Sequence, residues 1–524
     1  MGGRFGSGGE MVGAKPRWLL ALVSLLGIVV ILISTSRYGV GLSPDSVGYV
    51  AAARNLLVGR GLVSYDGSPL VIWQPLYPLF LSSIGYLLSS DPLSCAAAAN
   101  AALYGLILYL SGTLLFWHTK SIKLTILGLL LAASWPLTKI AVMAWSEPLF
   151  ICFVLLFLIC LEFYLAAREA KWLLAMSLFA ALASLTRHVG AALMLTGLLS
   201  LWLNSRQPWK TKLAHGALFA LLSATPMTLW AVRTWTVCGS FFGPRHPSPY
   251  SPLENALFLL EGIYFWFLPD HVLDSPFLII GLTVLALILF SLTFVLFKRH
   301  SSFDDQRLLK EALLGMRHLI IFILCYMGPL LLTAMITSVS LGVRMLSPVY
   351  VPLFLLALRL AQEFAALLKK RFLQPLVNRL LIAIACLLAF GAGAEIAGIT
   401  VLRAVRGAGG YNVAFWRKSE TIQSLRRRFD ADALYYSNAP DAIYILADLQ
   451  TRMSPTKRAE ASADKALTTL KNRWPPSPHA NLVWFDRCHR DYLFSVGELQ
   501  SVAEISLQVR LSDGAIYAVS PKRE

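Results

Sequence analysis

Charge is what this sequence has least of. Only 14% of its 524 residues are Asp, Glu, Lys or Arg, where soluble domains carry about 25%. Apolar residues make up 56%, and the mean hydropathy is +0.62. Those values exclude a soluble enzyme and make the bilayer the expected solvent for most of the chain. Cysteine is also scarce, at seven residues. Cys95, Cys152, Cys160, Cys325 and Cys386 lie in apolar segments and no CxxC occurs, so a disulfide scaffold is excluded. The richness in Leu, Ile, Val and Phe excludes disorder. Absent too are a GxGxxG after a strand, a Walker A loop and an HExxH pair. Acids are fewer than bases, 29 against 46, for a net charge of +17. In a membrane chain that excess belongs first to cytoplasmic loops. Basic residues are not interleaved with exposed aromatics in a soluble segment, so no nucleic-acid partner is expected.

What is present is a series of long apolar runs. Residues 1–17 form a Gly-rich cytoplasmic tail. Trp18–Ser36 is long enough to cross a core of ~30 Å, and it ends without a small-x-small cleavage site, which marks a retained first helix. Further spans are read at 92–117, 122–140, 147–166, 171–186, 188–204, 213–232, 276–297, 318–341, 348–367 and 380–402, about eleven in all by length. The stretch 73–90 is short and broken by Pro75 and Pro78, and reads as interfacial or re-entrant. With the N-terminus inside, the basic clusters Lys120–Lys123, Arg168–Lys171, Arg206–Lys212, Lys298–Arg317 and Lys369–Arg379 all fall in inner loops, as the positive-inside rule requires. The chain thus reads as an α-helical polytopic membrane protein. Residues 18–403 make its membrane domain, with two large outer loops at 37–91 and 233–275. Residues 404–524 read as a small α/β domain outside the membrane, with strands at Ala433–Ser437, Asn481–Phe485 and Ala515–Val519 and helices at Ser419–Arg428 and Pro440–Asp448.

The outer face holds the residues able to do chemistry. Asp45 follows the first span and Glu147 opens the fourth, both near the bilayer edge. A carboxylate there suits a general base, or a ligand for an acceptor hydroxyl or a divalent metal. Asp45 also suits a helix N-cap for 46–57, and Glu147 before Pro148 suits a first helical turn. Arg344, Arg233, Arg187 and Arg245 bring positive charge to a face where it is otherwise rare. A guanidinium at that depth suits a lipid phosphate or a snorkelling contact. His246 and His271 share a loop without metal-ligand spacing, so no metal ligands and no definite cofactor are read, with a divalent metal left open.

The ordered set of Pro44-Asp45-Ser46-Val47-Gly48-Tyr49, Ala53-Arg54-Asn55-Leu56-Leu57, Trp73-Gln74-Pro75-Leu76-Tyr77-Pro78, Ser146-Glu147-Pro148, Thr186-Arg187-His188, Trp230-Ala231-Val232-Arg233 and Arg344-Met345-Leu346-Ser347-Pro348 resembles membrane glycosyltransferases of the GT-C superfamily. The likeness is to the protein O-mannosyltransferases and the lipid A aminoarabinose transferase, and covers roughly 18–400. It implies a GT-C fold and an inverting transfer of a sugar from a polyprenyl-phosphate donor to a lipid, glycan or protein acceptor outside an inner membrane. It implies Asp45 as catalytic residue with Glu147 as second acid. Arg344, Arg233 and Arg187 would face the donor phosphate, and Tyr49, Arg54, Gln74, Tyr77 and His246 would form the acceptor or loop side. Gln74-Pro75-Leu76 stands where the aminoarabinose transferase carries Lys-Pro-Pro. A polytopic transporter or flippase of lipid-linked substrates is the competing class. It calls for polar residues and broken helices in mid-membrane and often inverted repeats, and here the charges gather at one rim.

The topology has a direct check. A reporter active only in the cytoplasm, fused after Glu524, is expected to be silent, because an odd number of spans carries the C-terminus outside. Activity of that fusion would overturn the span register.

Overall fold

The computed structural model describes residues 14–203, 207–245, 247–266, 280–281, 283–284, 291, 303–339, 341–371, 374–428, 430, 433–457, 467, 469–471, 474–475 and 480–522. Most of the span read at 276–297, and His246 with the role given to it, fall outside them.

The first half of the chain is nearly all helix. α1 (Ala14–Ser34) leads to α2 (Pro44–Leu57), α3 (Leu76–Leu87) and α4 (Pro92–Thr119). α5 (Ile122–Ala132) and α6 (Trp135–Ala141) follow, then α7 (Glu147–Ala167), α8 (Ala170–Thr186), a 3-10 turn at His188–Gly190, α9 (Ala191–Trp202) and α10 (Trp209–Cys238). After α11 (Pro252–Tyr264) come α12 (Phe303–Gly315), α13 (Arg317–Ile336), α14 (Val343–Arg371) and α15 (Gln374–Arg406).

Among the described residues seven helices are long and apolar enough to cross a membrane, or eight if the pair α5–α6 counts as one span bent by 53°. The expected run 122–140 is this bent pair. Its break falls at Ser134, where Pro136 in the first turn of α6 cannot supply the N–H that a continuous helix needs. α8 and the segment His188–Trp202 are shorter apolar helices, as the tight spacing around Arg187-His188 requires. α3, with 12 residues, is too short to cross.

Packing is closest where side chains are smallest. α1 lies along α4, and a side chain at Gly105 would run into Ile28. Small residues let membrane helices approach to van der Waals distance, which replaces the hydrophobic drive that lipid cannot supply. α7 packs on α8 and α4, and Phe150, Phe157, Leu158 and Tyr164 are fully buried along it.

The C-terminal region is a five-stranded sheet with small helices. α16 (Ala414–Arg417), α17 (Glu420–Arg428), β1 (Leu434–Ser437), α18 (Pro440–Ala447), β2 (Arg452–Met453), β3 (Ala480–Phe485), α19 (Val496–Leu499), β4 (Ala503–Arg510) and β5 (Gly514–Pro521) succeed one another. The order is β2-β1-β3-β5-β4, with β1 parallel to β2 and β3, and β5 antiparallel to β3 and β4. The three expected strands are β1, β3 and β5. β4 escapes a reading by apolar runs because it is an edge strand, with Glu504, Ser506, Gln508 and Arg510 interleaved along a largely exposed length.

Backbone pairing ties this region to the start of the chain. Gly41 N–H donates to Val142 O at 2.8 Å, and Ala144 N–H to Gly41 O at 2.9 Å. On the other side Leu42 N–H donates to Gly409 O at 3.2 Å, and Tyr411 N–H to Leu42 O at 2.8 Å. The link after α1 is therefore a short strand held between the approach to α7 and the exit of α15. Asn412 reinforces it, donating from Nδ2 to Val40 O at 2.6 Å. α18 packs on α2, so the sheet region caps the end of the bundle that bears Asp45.

Gly410 holds the tightest point of this seam. Its φ is +58°, and a Cβ would collide with the Leu42 carbonyl. Gly410→Ala is expected to lower stability by about 1–3 kcal/mol through backbone strain. The check is the thermal midpoint of the detergent-solubilised protein, with Gly497→Ala, where a Cβ meets open space, as the neutral comparison.

Candidate functional site

The seam has a chemical consequence. It places Asp45, three residues beyond Leu42, beside Glu147, three residues beyond Ala144. α2 starts from Ser43, whose side chain accepts from Ser46 N–H while Ser46 Oγ accepts from Ser43 N–H. Trp145 Nε1 donates to Ser43 Oγ at 2.7 Å, locking the cap to the α6–α7 link. The alternative reading of Asp45 as N-cap is thereby corrected. Ser43 already satisfies the orphan N–H groups, so the carboxylate of Asp45 is released to point elsewhere.

It points at Arg344, whose Nη1 donates to Asp45 Oδ2 at 2.5 Å. Arg344 lies in the first turn of α14 rather than in a free turn between spans. Pro348 reads as a helix start in the sequence, but here it sits inside the helix. Its missing N–H would leave the Arg344 carbonyl unmatched, and Ser347 Oγ donates to that oxygen at 2.8 Å. The guanidinium also donates through Nε to Glu147 and lies 4.3 Å over the ring of Trp145.

Glu147 is the centre of the arrangement. Its side chain is 0% exposed. Its Oε1 accepts from both Arg344 Nε and Arg187 Nη1. Arg187, released at the C-terminal end of α8, also reaches Ser146 Oγ at 3.3 Å and Met345 Sδ at 3.1 Å. Two carboxylates and two guanidiniums thus form one neutral cluster, and a buried anion is tolerated only when paired in this way. Within it Asp45 is the most accessible carboxylate, at 34% exposed, and Arg344 and Arg187 are 20% and 13% exposed.

The remaining expected residues fall into two groups. Tyr49 and Tyr77 are buried in the packing, their rings in edge contact at 5.2 Å. Tyr49 OH lies 3.3 Å from Ser146 Oγ. Burial, with the nearby Asp45 charge, pushes its phenol up to about 12, so it is a neutral hydrogen-bonding group beside the carboxylates. Tyr77 OH donates to Asn100, which holds the carbonyls of Ala141 and Met143 from Nδ2. Arg54 stands apart on the surface, paired with Asp91 at 2.7 Å and over the Tyr444 ring.

The second group is a polar rim. Gln74 is buried and its Nε2 donates to His188 Nδ1 at 2.8 Å. Arg233 donates to Leu70 O, and Arg245 to Ile72 O at 3.0 Å. Two guanidiniums therefore hold the backbone just before Gln74. Sequence reasoning missed the pairing of Arg187 with Glu147, which lies 40 residues away. The only sequence sign of it is that both flank short links at the same expected face.

No family model matches this chain, and no curated protein matches it. Solved structures do match in shape. ArnT from Cupriavidus metallidurans in the apo state superposes with a TM-score of 0.59 at 13% identity, over 97% of this chain and 98% of that one. The same protein bound to undecaprenyl phosphate gives 0.58 at 14% identity, over 96% and 98%. The Archaeoglobus fulgidus oligosaccharyltransferase in complex with Zn and sulfate gives 0.49 at 12% identity, over 88% and 68%. The two ArnT superpositions cover nearly all of both chains, and this chain shares that protein's fold, a body of long apolar helices with a small C-terminal sheet region.

The cluster makes a contrast that can be measured. Glu147→Gln leaves two guanidiniums without their buried anion, and breaking such a pair costs about 3–5 kcal/mol. Arg54→Ala breaks a partly exposed pair worth about 0–1 kcal/mol. Denaturation of both variants in the same detergent is expected to show a large loss for the first and a small one for the second. Equal losses would contradict the central place of Glu147.

Proposed function

We propose that this chain is an inverting membrane glycosyltransferase that moves a sugar from a polyprenyl-phosphate donor to an acceptor outside the cytoplasm. One observation carries the reading. Asp45 is the accessible carboxylate of a neutral, largely buried Asp–Arg–Glu–Arg cluster at one end of the helical body. The full-length GT-C fold supports it, and so does the undecaprenyl phosphate bound to one of the structures this chain superposes on.

In this reaction the acceptor hydroxyl oxygen attacks the anomeric carbon. The bond from that carbon to the phosphate oxygen breaks, and the carrier phosphate leaves with the bonding pair. The hydroxyl proton passes to Asp45. Single displacement inverts the anomeric centre. Asp45 Oδ2 is tied to Arg344, and Oδ1 makes no hydrogen bond among the described residues, so one oxygen is fixed and the other is available to a hydroxyl. Arg344 aims the base through that contact.

Arg344 and Arg187 share Glu147, which positions them without touching substrate. The leaving phosphate then sits against Arg187, Arg344 and the rim formed by Arg245, Arg233, Gln74 and His188. Positive charge set in place beforehand stabilises an anion as it departs. Gln74 takes part there as a neutral donor. Tyr49 and Tyr77 act through packing, and Arg54 with the C-terminal region lies on the acceptor side. The alternative, a flippase, needs no base at Asp45.

Asp45→Asn tests the reading. Ser43 is the helix cap, so the substitution leaves the start of α2 intact. The variant is expected to fold and to keep its hold on the carrier lipid. It should lose transfer by at least about a hundred-fold, within the range that general-base assistance contributes. Transfer near the wild-type rate in a well-folded Asp45→Asn protein would remove the catalytic assignment.

A further inference from the structure

The opposite end of the bundle holds a second cluster of chemistry-bearing side chains. It stands independently of the reading of Asp45. α7 carries two acids, Glu147 in its first turn and Glu162 near its end. Fifteen residues at 1.5 Å per residue separate the two by about 22 Å along the helix. Between them the helix is wholly apolar. Glu162 faces two histidines from other helices. His118 lies at the end of α4, and His318 is the second residue of α13. His118 Nε2 is 2.7 Å and His318 Nε2 2.9 Å from the same oxygen, Glu162 Oε1.

All three side chains are shielded, at 14%, 17% and 4% exposed for His118, Glu162 and His318. The donor atoms lie within 4.8 Å of one another. The imidazole rings are 6.1 Å apart at 33°, so both present an edge to the carboxylate.

We propose that His118, Glu162 and His318 form a binding site for a divalent first-row transition ion, zinc foremost, that fastens three membrane helices together on the side away from Asp45. Two imidazole nitrogens and one carboxylate oxygen are a donor set that zinc accepts, with a fourth position left for water. Ligand atoms around a tetrahedral ion at 2.0–2.2 Å are roughly 3.3 Å apart. Ends already within 4.8 Å reach that spacing by small side-chain rotations. Calcium and magnesium are disfavoured because they prefer all-oxygen shells.

The cluster also explains a cost. An ionisable residue within a membrane helix is expensive and is retained with named partners. An apolar side chain at position 162 would pack without that cost. A hydrogen-bonded triad alone would also hold the helices together, since one carboxylate oxygen accepts two hydrogen bonds, and zinc binding is what separates the two. The ligands come from α4, α7 and α13, which are separated in sequence by 44 and 156 residues. An ion here therefore closes long loops across the bundle.

The test uses the full-length protein in detergent, with any purification tag removed, stripped with EDTA and then given zinc chloride alone. Gel filtration followed by elemental analysis is expected to find about one zinc per chain, and zinc should raise the unfolding midpoint, because an ion that binds only the folded state stabilises it. Glu162→Gln keeps the size and hydrogen-bonding ability but removes the anionic ligand. Loss of a ligand should weaken zinc at least as much as loss of an outer partner does, about ten- to a hundred-fold. His318→Ala should do the same, and His215→Ala should bind as the wild type does. Zinc retention unchanged in Glu162→Gln and His318→Ala, or no retained zinc in the wild type, would overturn the site. Should both variants fail to fold, X-ray absorption at the zinc edge of the wild type decides. A shell of two nitrogens and light oxygen ligands supports the proposal, and a shell containing sulfur or oxygen alone overturns it.

Discussion

The structure turns on the fully buried carboxylate of Glu147 held between Arg187 and Arg344. An uncompensated anion at that depth would be strongly unfavourable, so both guanidiniums are drawn to it from the ends of α8 and α14. Each then presents its other face to what lies beyond. Arg344 meets Asp45 at 2.5 Å, and Arg187 meets Ser146 and Met345. The two carboxylates and two guanidiniums balance as a set, and Asp45 is the more exposed of the two acids. The exposure of Asp45 and the burial of Glu147 are therefore properties of one group of four side chains.

The cluster exists because two backbone segments are aligned. The strand at 40–42 lies between the approach to α7 and the segment after α15, with hydrogen bonds on both edges. Gly410 and Gly41 permit that approach, since a side chain on either would strike its neighbour. The first helix and the last helix of the membrane body are thus joined at the same place where the two acids are brought together. The C-terminal region follows directly from this seam. Its buried Asp441–Arg490 pair at 2.6 Å lies next to Tyr411, one residue beyond Gly410. The cap over the site is anchored by the same backbone that sets the acids.

The bundle has chemistry at both ends and little between. Glu147 and Glu162 mark the two ends of α7, and each recruits its partners from helices distant in sequence. Arginines pair with the glutamate at one end and histidines with the glutamate at the other. Guanidinium stays charged and suits anionic oxygens, while neutral imidazole suits a metal ion. The two clusters accordingly fit different ligands, although each is built around a shielded glutamate on the same helix.

Much of the membrane architecture is legible in the sequence, because lipid imposes a minimum length and an apolar composition that can be read residue by residue. The bent pair at 122–141 and the two short segments around Arg187 are where that rule weakens. There, proline and neighbouring helices decide whether a run continues. Asp45, Glu147, Arg187 and Arg344 stand out in the sequence because charge is rare near an outer rim. Their partners do not, since pairing depends on how helices 40 to 299 residues apart pack. The cap at Ser43 and the burial of Tyr77 are equally invisible, because either residue could face outward on an isolated helix. His118, Glu162 and His318 carry no recognisable spacing at all. The sequence by itself determined that long apolar helices dominate the chain and which few residues carry charge. Only the tertiary structure decided which charges meet, because a salt bridge needs contact within a few ångströms and the linear chain specifies no distance beyond its own neighbours.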